Sequence, residues 1–355
     1  MFSVAPGPRP ALTLAHVASY PRLRALTWDN HILYAASGYR LLRADMNSRV
    51  IRWEHVADHD PGIVRKVSSW SNLGFRLLRD GFHGLAVLPT GYLAAAVPGA
   101  IVTLAPGETK FRATHKITRG TRPLHIAVNG SGELFWGEYF DNRLREEVHI
   151  YKSSDHGESW QIAYTFPRRS IRHVHNIVYD RWGNCLWILT GDAGSECQIL
   201  RASCNLSKVE TVLSGNQQSR AVAMVPTADA VYFASDTPFE TNFVHRLERN
   251  GKVSELGSVS SSAIYGCRVG EAMFFATMVE PSEANRDHHV RIFGSADGNR
   301  FESLLRWPKD GWHMRWFQYG NARLPDGDNN TRFLAVSTIA VQGADLETSL
   351  WKVTA

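Results

Sequence analysis

A chain of 355 residues has room for two or three domains, or for one large all-β unit. Its 44% hydrophobic and 21% charged residues exclude a disordered or collagen-like chain, and no run approaches the ~18 apolar residues of a membrane-spanning helix. Net charge is +5; with only eight Lys, 31 of the 39 basic residues are Arg, a fork suited to carboxylates, sulfates and phosphates.

The chain opens without a basic segment followed by an apolar one, so no signal peptide is read and a cytoplasmic protein is expected. Residues 11–18 form a strand that precedes everything periodic. From Arg24 onward one pattern recurs: a polar residue, a small or apolar strand, a turn rich in Gly, Pro, Asn or Asp, a second apolar strand, then two more strands. RALTWDNHILYAAS opens the series at Arg24, and HGLAVLPTGYLAAAV follows at His83. HIAVNGSGELFWGEY starts at His125 and HNIVYDRWGNCLWILTGD at His175. RAVAMVPTADAVYFASD starts at Arg220, YGCRVGEAMFFATM at Tyr265, and YGNARLPDGDNNTRFLAVST closes the series at Tyr319.

Seven copies at spacings of 42 to 59 residues match four short strands each. They predict an all-β chain, a single seven-bladed β-propeller over 1–355 with four-stranded antiparallel blades. The last copy holds three strands, around Tyr319, Phe333 and Leu350, so the N-terminal strand is expected to supply its fourth and close the ring. Four cysteines, Cys185, Cys197, Cys204 and Cys267, show no zinc spacing. Cys185 and Cys204 could face each other across one hairpin; the plainer reading is four buried thiols in a reducing compartment.

Two turns carry a motif. IYKSSDHGESW, 150–160, has the form S-x-D-x-G-x-x-W, and IFGSADGNRF, 292–301, is a shorter form ending in Phe. In such a turn the Asp folds back on backbone N–H groups and Gly takes a positive φ. With these two turns the chain resembles the Asp-box (BNR) β-propellers, of which sialidases are the familiar members. The resemblance implies architecture, with the boxes on the face away from any ligand. It does not extend to the Phe-Arg-Ile-Pro motif of sialidases, which is absent.

In a propeller the first strand of every blade runs along the central channel and begins at its mouth. The seven aligned first residues are Arg24, His83, His125, His175, Arg220, Tyr265 and Tyr319, none of them apolar. They are expected to ring one cavity, because convergent titratable groups mark sites. Second-strand ends reach the same face and bring Glu138, Asp192, Asp236 and Glu280, with Trp136, Tyr139 and Phe239 beside them. His173 and His175 lie two apart, hence on one side of a strand. With His83 and His125 they make a candidate set for a divalent ion, Mn, Zn or Ca. The arrangement is similar to the propeller-fold oligogalacturonate lyases, whose His residues and a Gln hold a metal; here Ser170 stands where that Gln would be.

These groups point to an acidic, uronate-containing carbohydrate as partner. No basic run or nucleic-acid motif occurs, so nucleic acid is not expected. β-Elimination next to a carboxylate needs a base near neutral pKa, a cation for the developing enolate and an acid for the leaving oxygen. His175, His125 or His83 would be the base, Tyr265 the acid, and Arg220, Arg24 and Tyr319 substrate-binding groups. Two alternatives stand beside this lyase reading. One is a glycoside hydrolase with a carboxylate pair drawn from Glu138, Asp192, Asp236 and Glu280. The other is a non-catalytic glycan-binding propeller.

Overall fold

The computed structural model describes residues 12–355. Seven sheets follow one another along the chain, and together they form a seven-bladed, all-β propeller. Blade 1 spans 24–58, blade 2 84–116, blade 3 127–166, blade 4 173–214, blade 5 221–259 and blade 6 263–308. Blade 7 takes three strands from 321–354, and its outer strand is Thr13–Pro21, antiparallel to Glu347–Thr354 with Leu14 opposite Val353 and His16 opposite Trp351. The N-terminus thus closes the ring as expected; Ala11, placed in that strand by the sequence pattern, lies outside the described residues. Every blade begins within two residues of its predicted start.

The core sits between the blades. Seven apolar clusters are each shared by two neighbours, so every sheet buries both faces. That is why second strands such as Leu93–Val97 and Ala272–Thr277 read as unbroken small or apolar runs and are buried throughout. All four cysteines are free thiols; Cys185 and Cys197 are buried, Cys204 and Cys267 only partly.

Both predicted boxes form the turn between third and fourth strands. Asp155 accepts from the Ser159 amide at 3.0 Å and the Ser159 hydroxyl at 2.6 Å, while Gly157 takes φ +89°. Trp160 closes the turn by donating to the Gly157 carbonyl and packs into the core between blades 2 and 3. In the second box Asp297 accepts from the Asn299 amide at 2.9 Å, and Phe301 packs against Phe275. Strand alternation puts third-to-fourth turns on the face opposite the first-strand starts.

Two features were not anticipated. The long link from blade 1 to blade 2 holds helices α1 (Ile63–Ser68) and α2 (Asn72–Leu78), and the link into blade 7 holds the short α3 (Met314–Phe317). Ser71 caps α2 by accepting from the Gly74 amide, and Arg79 ends it in the left-handed region. Arg76 pins α2 down: fully buried, it donates to Asp310, Asp345 and the Phe317 carbonyl. The second feature is the strand Asp326–Asn329, which leaves blade 7 and runs parallel to the inner strand of blade 1. Gly327 makes this approach possible, since a Cβ there would meet the Trp28 carbonyl at 2.1 Å.

Candidate functional site: two polar clusters at the channel mouth

The inner strands of blades 1, 4, 5 and 6 each carry a one-residue bulge near their start, at Leu26, His175, Val222 and Ile264. A bulge re-aims the side chains around it. Counting from the bulge, the residue equivalent to Arg24 is Arg220 in blade 5, His173 rather than His175 in blade 4, and Ser262 rather than Tyr265 in blade 6. The predicted ring was therefore out of step by two residues in blade 4 and by three in blade 6. The seven side chains do not surround one cavity; they divide among three places.

The first place is a cavity of about 170 Å³ lined by Arg24, His83 and Tyr265 together with Arg122, Arg323 and residues of blades 1 and 7. Phe75 of α2 and Gln318 after α3 complete the wall, which contains no carboxylate. Arg24 donates to the Phe82 carbonyl at 2.8 Å, and its guanidinium lies 5.2 Å from the Phe75 ring. Arg323 donates to the His83 carbonyl and stacks over Tyr265 at 5.4 Å, but its Nε has no partner. The Arg122 Nε is also unpartnered. Among the described residues Arg24 and Arg122 form no ion pair with a carboxylate.

Crowded cations with little water lose basicity. Burial, then the Arg323 charge, lowers the Arg24 guanidinium from 12.5 to about 10. Burial and the Arg79 charge do the same to Arg122. His83 points Nε2 at the Arg79 carbonyl, 2.8 Å away, which assigns the proton to Nε2 and leaves Nδ1 as the basic nitrogen. Burial, with Arg122 and Arg24 nearby, pushes this imidazole well below its ordinary 6.5. His125 sits next to the cavity, its ring 5.9 Å from Tyr265, but is engaged by Asp326 at 2.9 Å.

The second place gathers His173, His175, Asp192, Arg220, Asp236 and Glu280 across blades 4 to 6. Asp192 is its hub: Arg172 donates to it at 2.8 Å, and His175 Nε2 and Arg220 Nη2 lie 3.4 Å from its Oδ1. Burial raises the Asp192 carboxyl, but the His175 hydrogen bond and the His173, His175 and Arg220 charges outweigh it and hold it well below the carboxylate range. Asp236 and Glu280 go the other way. Burial raises both, and Asp236 raises Glu280 further, against the opposing pull of Arg220. Tyr139 lies against the His173 ring at 4.3 Å, and desolvation with the Asp236 and Asp192 charges lifts its phenol to about 12.

The predicted four-imidazole metal set does not form, because His83 and His125 belong to the other cluster. What the structure assembles instead is His173, His175 and Asp192, with ligand atoms within 4.8 Å of one another. Both imidazoles face backbone carbonyls through Nδ1, His173 to Phe140 at 3.1 Å and His175 to Ala221 at 3.0 Å. A carbonyl only accepts, so each Nδ1 carries a proton and each Nε2 faces Asp192: it donates to the carboxylate when the ring is protonated and can ligate an ion when the ring is neutral. The set suits a divalent transition ion, with Arg172 and Arg220 competing for the same carboxylate.

The third place is a groove of about 520 Å³ bordered by Tyr319, Trp312, His288, His313 and Lys309, which meets the second cluster at Glu280. Tyr319 belongs here and not at the cavity. Glu138 is not a free ligand group: it is buried, held by Arg119 at 2.9 Å, and accepts from the His149 amide. Trp136 is core, stacked on Tyr151, whereas Phe239 is exposed. Sequence reasoning missed Arg122, Arg323, Asp326 and Arg172. A signal existed for two of them: Arg122 and Arg172 each stand three residues before a strand-start His.

No family profile matches the chain, and no curated protein matches it. Among solved structures, a chain in the crystal structure of a mitotic checkpoint complex aligns over 100% of both chains, with TM-score 0.59 and 12% identity. A putative TolB from Agrobacterium tumefaciens aligns over 67% of this chain and 82% of its own, with TM-score 0.46 and 16% identity. The likeness to the first shows a shared fold and nothing further.

Proposed function

We propose that this propeller binds a small acidic carbohydrate, such as a single uronate unit, by its carboxylate in the cavity of Arg24, Arg122 and Arg323. The observation that carries this reading is a cavity lined by four arginines, Arg22, Arg24, Arg122 and Arg323, with no carboxylate in its wall; among the described residues only Arg323 of the four has an ion-pair partner, Asp326. Buried cations are retained at a cost when nothing neutralises them, and an anionic ligand would do so. At about 170 Å³ the cavity is below the usual range for large ligands, which favours one sugar unit over a chain.

The same wall offers the groups of a β-elimination. His83 Nδ1 takes the proton from the carbon next to the carboxylate. The arginines hold the enolate, the bond to the leaving oxygen breaks as Tyr265 gives that oxygen its proton, and a carbon–carbon double bond remains. Burial is the main cause of the lowered His83 basicity, and a bound carboxylate would offset only the added field of Arg122 and Arg24. Calorimetric titration with galacturonate and with neutral galactose tests the binding. The acid should bind and the neutral sugar should not. Absorbance near 235 nm with acidic oligosaccharides tests the elimination. Equal binding of both sugars would sink the reading.

One observation favours a second reading. Asp192 is held ionised while Asp236 and Glu280 are pushed toward protonation, the pattern that separates a base from an acid in glycoside hydrolysis. Glu280 borders the groove with Trp312 and Tyr319, whose rings could stack on sugar faces. Glu280→Gln would abolish hydrolysis under this reading and leave acid binding in the cavity unchanged under the first.

A further inference from the structure

The helices over the mouth bury almost none of their own apolar surface. No residue of α1 is buried. Ile63 is 83% exposed, Val64 74% and Trp70 71%, and Val67, Leu73, Leu77 and Leu78 are exposed too. Trp312, Trp316 and Tyr319 continue the patch around α3, which packs beside α2. These ten are more than half of the eighteen large apolar side chains exposed among the described residues, gathered on one cap. A patch of that kind marks an interaction surface.

Its charge identifies the occupant. Residues 61–79 and 311–319 contain no Asp or Glu. Lys66, Arg79 and Arg315 are exposed among the apolar groups, and Arg22 stands beside them, bonded to Asn72 of α2. Apolar side chains, tryptophans and cations with no acid among them make the profile of an interfacial segment that lies on an anionic bilayer. Tryptophan rings suit the headgroup level, where one edge is apolar and the other wet. Arg76 fastens α2 to the body from below, so the apolar residues can insert without unfolding the cap.

We infer that the α1–α2–α3 cap docks the propeller, mouth first, on an anionic lipid surface. The docking inferred is peripheral, through exposed side chains of the cap; among the described residues no helix is long and apolar enough to cross a membrane. This inference does not depend on the sugar reading. The full chain is to be sedimented with vesicles of phosphatidylcholine alone and with 30% phosphatidylserine, at low and high salt. Binding should be at least tenfold stronger to the anionic vesicles and should weaken with salt. Val64→Asp with Leu73→Asp should reduce it at least tenfold, and so should Lys66→Glu with Arg315→Glu. These side chains are exposed, so the circular dichroism and unfolding temperature of the variants should stay at wild-type values. Vesicle binding no stronger than to phosphatidylcholine alone overturns the inference. So does a dimer in sedimentation velocity that the same aspartates dissociate, which would show that a second copy covers the cap.

Discussion

Replacing Arg122 by Met removes one of the four arginines that line the cavity and keeps an unbranched stem of similar length. The folded protein lowers that guanidinium from 12.5 to about 10, through burial and then the Arg79 charge. At about 1.4 kcal/mol per unit, holding it charged would oppose folding by ~3 kcal/mol in a dry site. Arg122 keeps partial contact with water, which reduces the figure to ~1–2 kcal/mol. The sign is fixed by linkage. The folded pKa lies below the unfolded one, so the destabilisation is fully present at neutral pH and fades only as pH rises from about 10 toward 12.5. Arg122→Met should therefore be more stable than wild type in ligand-free buffer, by ~1–2 kcal/mol in urea and roughly 1–3 °C in Tm for a chain of this length. A saturating acidic ligand should reverse the order, because wild type gains RT ln(1 + [L]/Kd), ~2.7 kcal/mol at a hundredfold excess over Kd, and the variant gains little. The reasoning fails if the variant is less stable without ligand and responds to acid as wild type does.

Asp326→Asn tests the contact between the parallel strand and blade 3. Burial raises the Asp326 carboxyl, but the His125 charge and hydrogen bond and the Arg323 charge outweigh it, and the net shift is downward. That contribution is present above the ordinary Asp range and is lost as pH falls through the lowered folded pKa; a Tm series from pH 7 down to 3 should fall less steeply in the variant. Asp155→Ala removes three turn hydrogen bonds far from the mouth and should cost roughly 1–3 kcal/mol in urea with ligand affinity unchanged. A folded Asp155→Ala protein that no longer binds acid would show that the two faces were misassigned. Removing residues 1–21 strips the outer strand from blade 7 and exposes the edge of Glu347–Thr354, so unfolding should become broad and the protein should aggregate; a sharp, monomeric transition would contradict closure by that strand.

The fold was legible because it rests on a signal repeated seven times. Strand starts, turn residues and the three-stranded last copy each constrained the others, and errors of two and three residues in two blades left the architecture unchanged. The site has no such redundancy. His175 and Tyr265 were aligned with Arg24 because each begins an apolar run, yet the bulges put His173 and Ser262 in that place. A bulge adds one residue without changing composition, so the hydrophobic pattern does not reveal it. The cap helices were missed for a related reason. Their apolar residues face outward, so the segment lacks the polar face that identifies a helix lying on a core. Asp326 lies in DGDNN, which has the composition of a turn, and its role at the axis depends on a parallel pairing between residues about 300 apart in sequence.

The division of the ring has a chemical consequence. On the side of blades 7, 1 and 2 the mouth carries Arg24, Arg122 and Arg323 with no carboxylate in the cavity wall. On the side of blades 4 to 6, three carboxylates, Asp192, Asp236 and Glu280, are only partly answered by Arg172 and Arg220. A ligand that reaches across both must therefore be polarised, acidic at one end and neutral or hydroxyl-rich at the other, because a second carboxylate would meet Glu280 and Asp236. A uniformly acidic oligosaccharide would be attracted at its first unit and repelled at its next. A single uronate joined to a neutral sugar should thus bind more tightly than a di-uronate of the same length, with the difference shrinking at high salt for the rim contacts. The reverse order of affinity would mean that the carboxylate cluster does not face the ligand, and that Asp192 and its partners serve the packing of blades 4 and 5 alone.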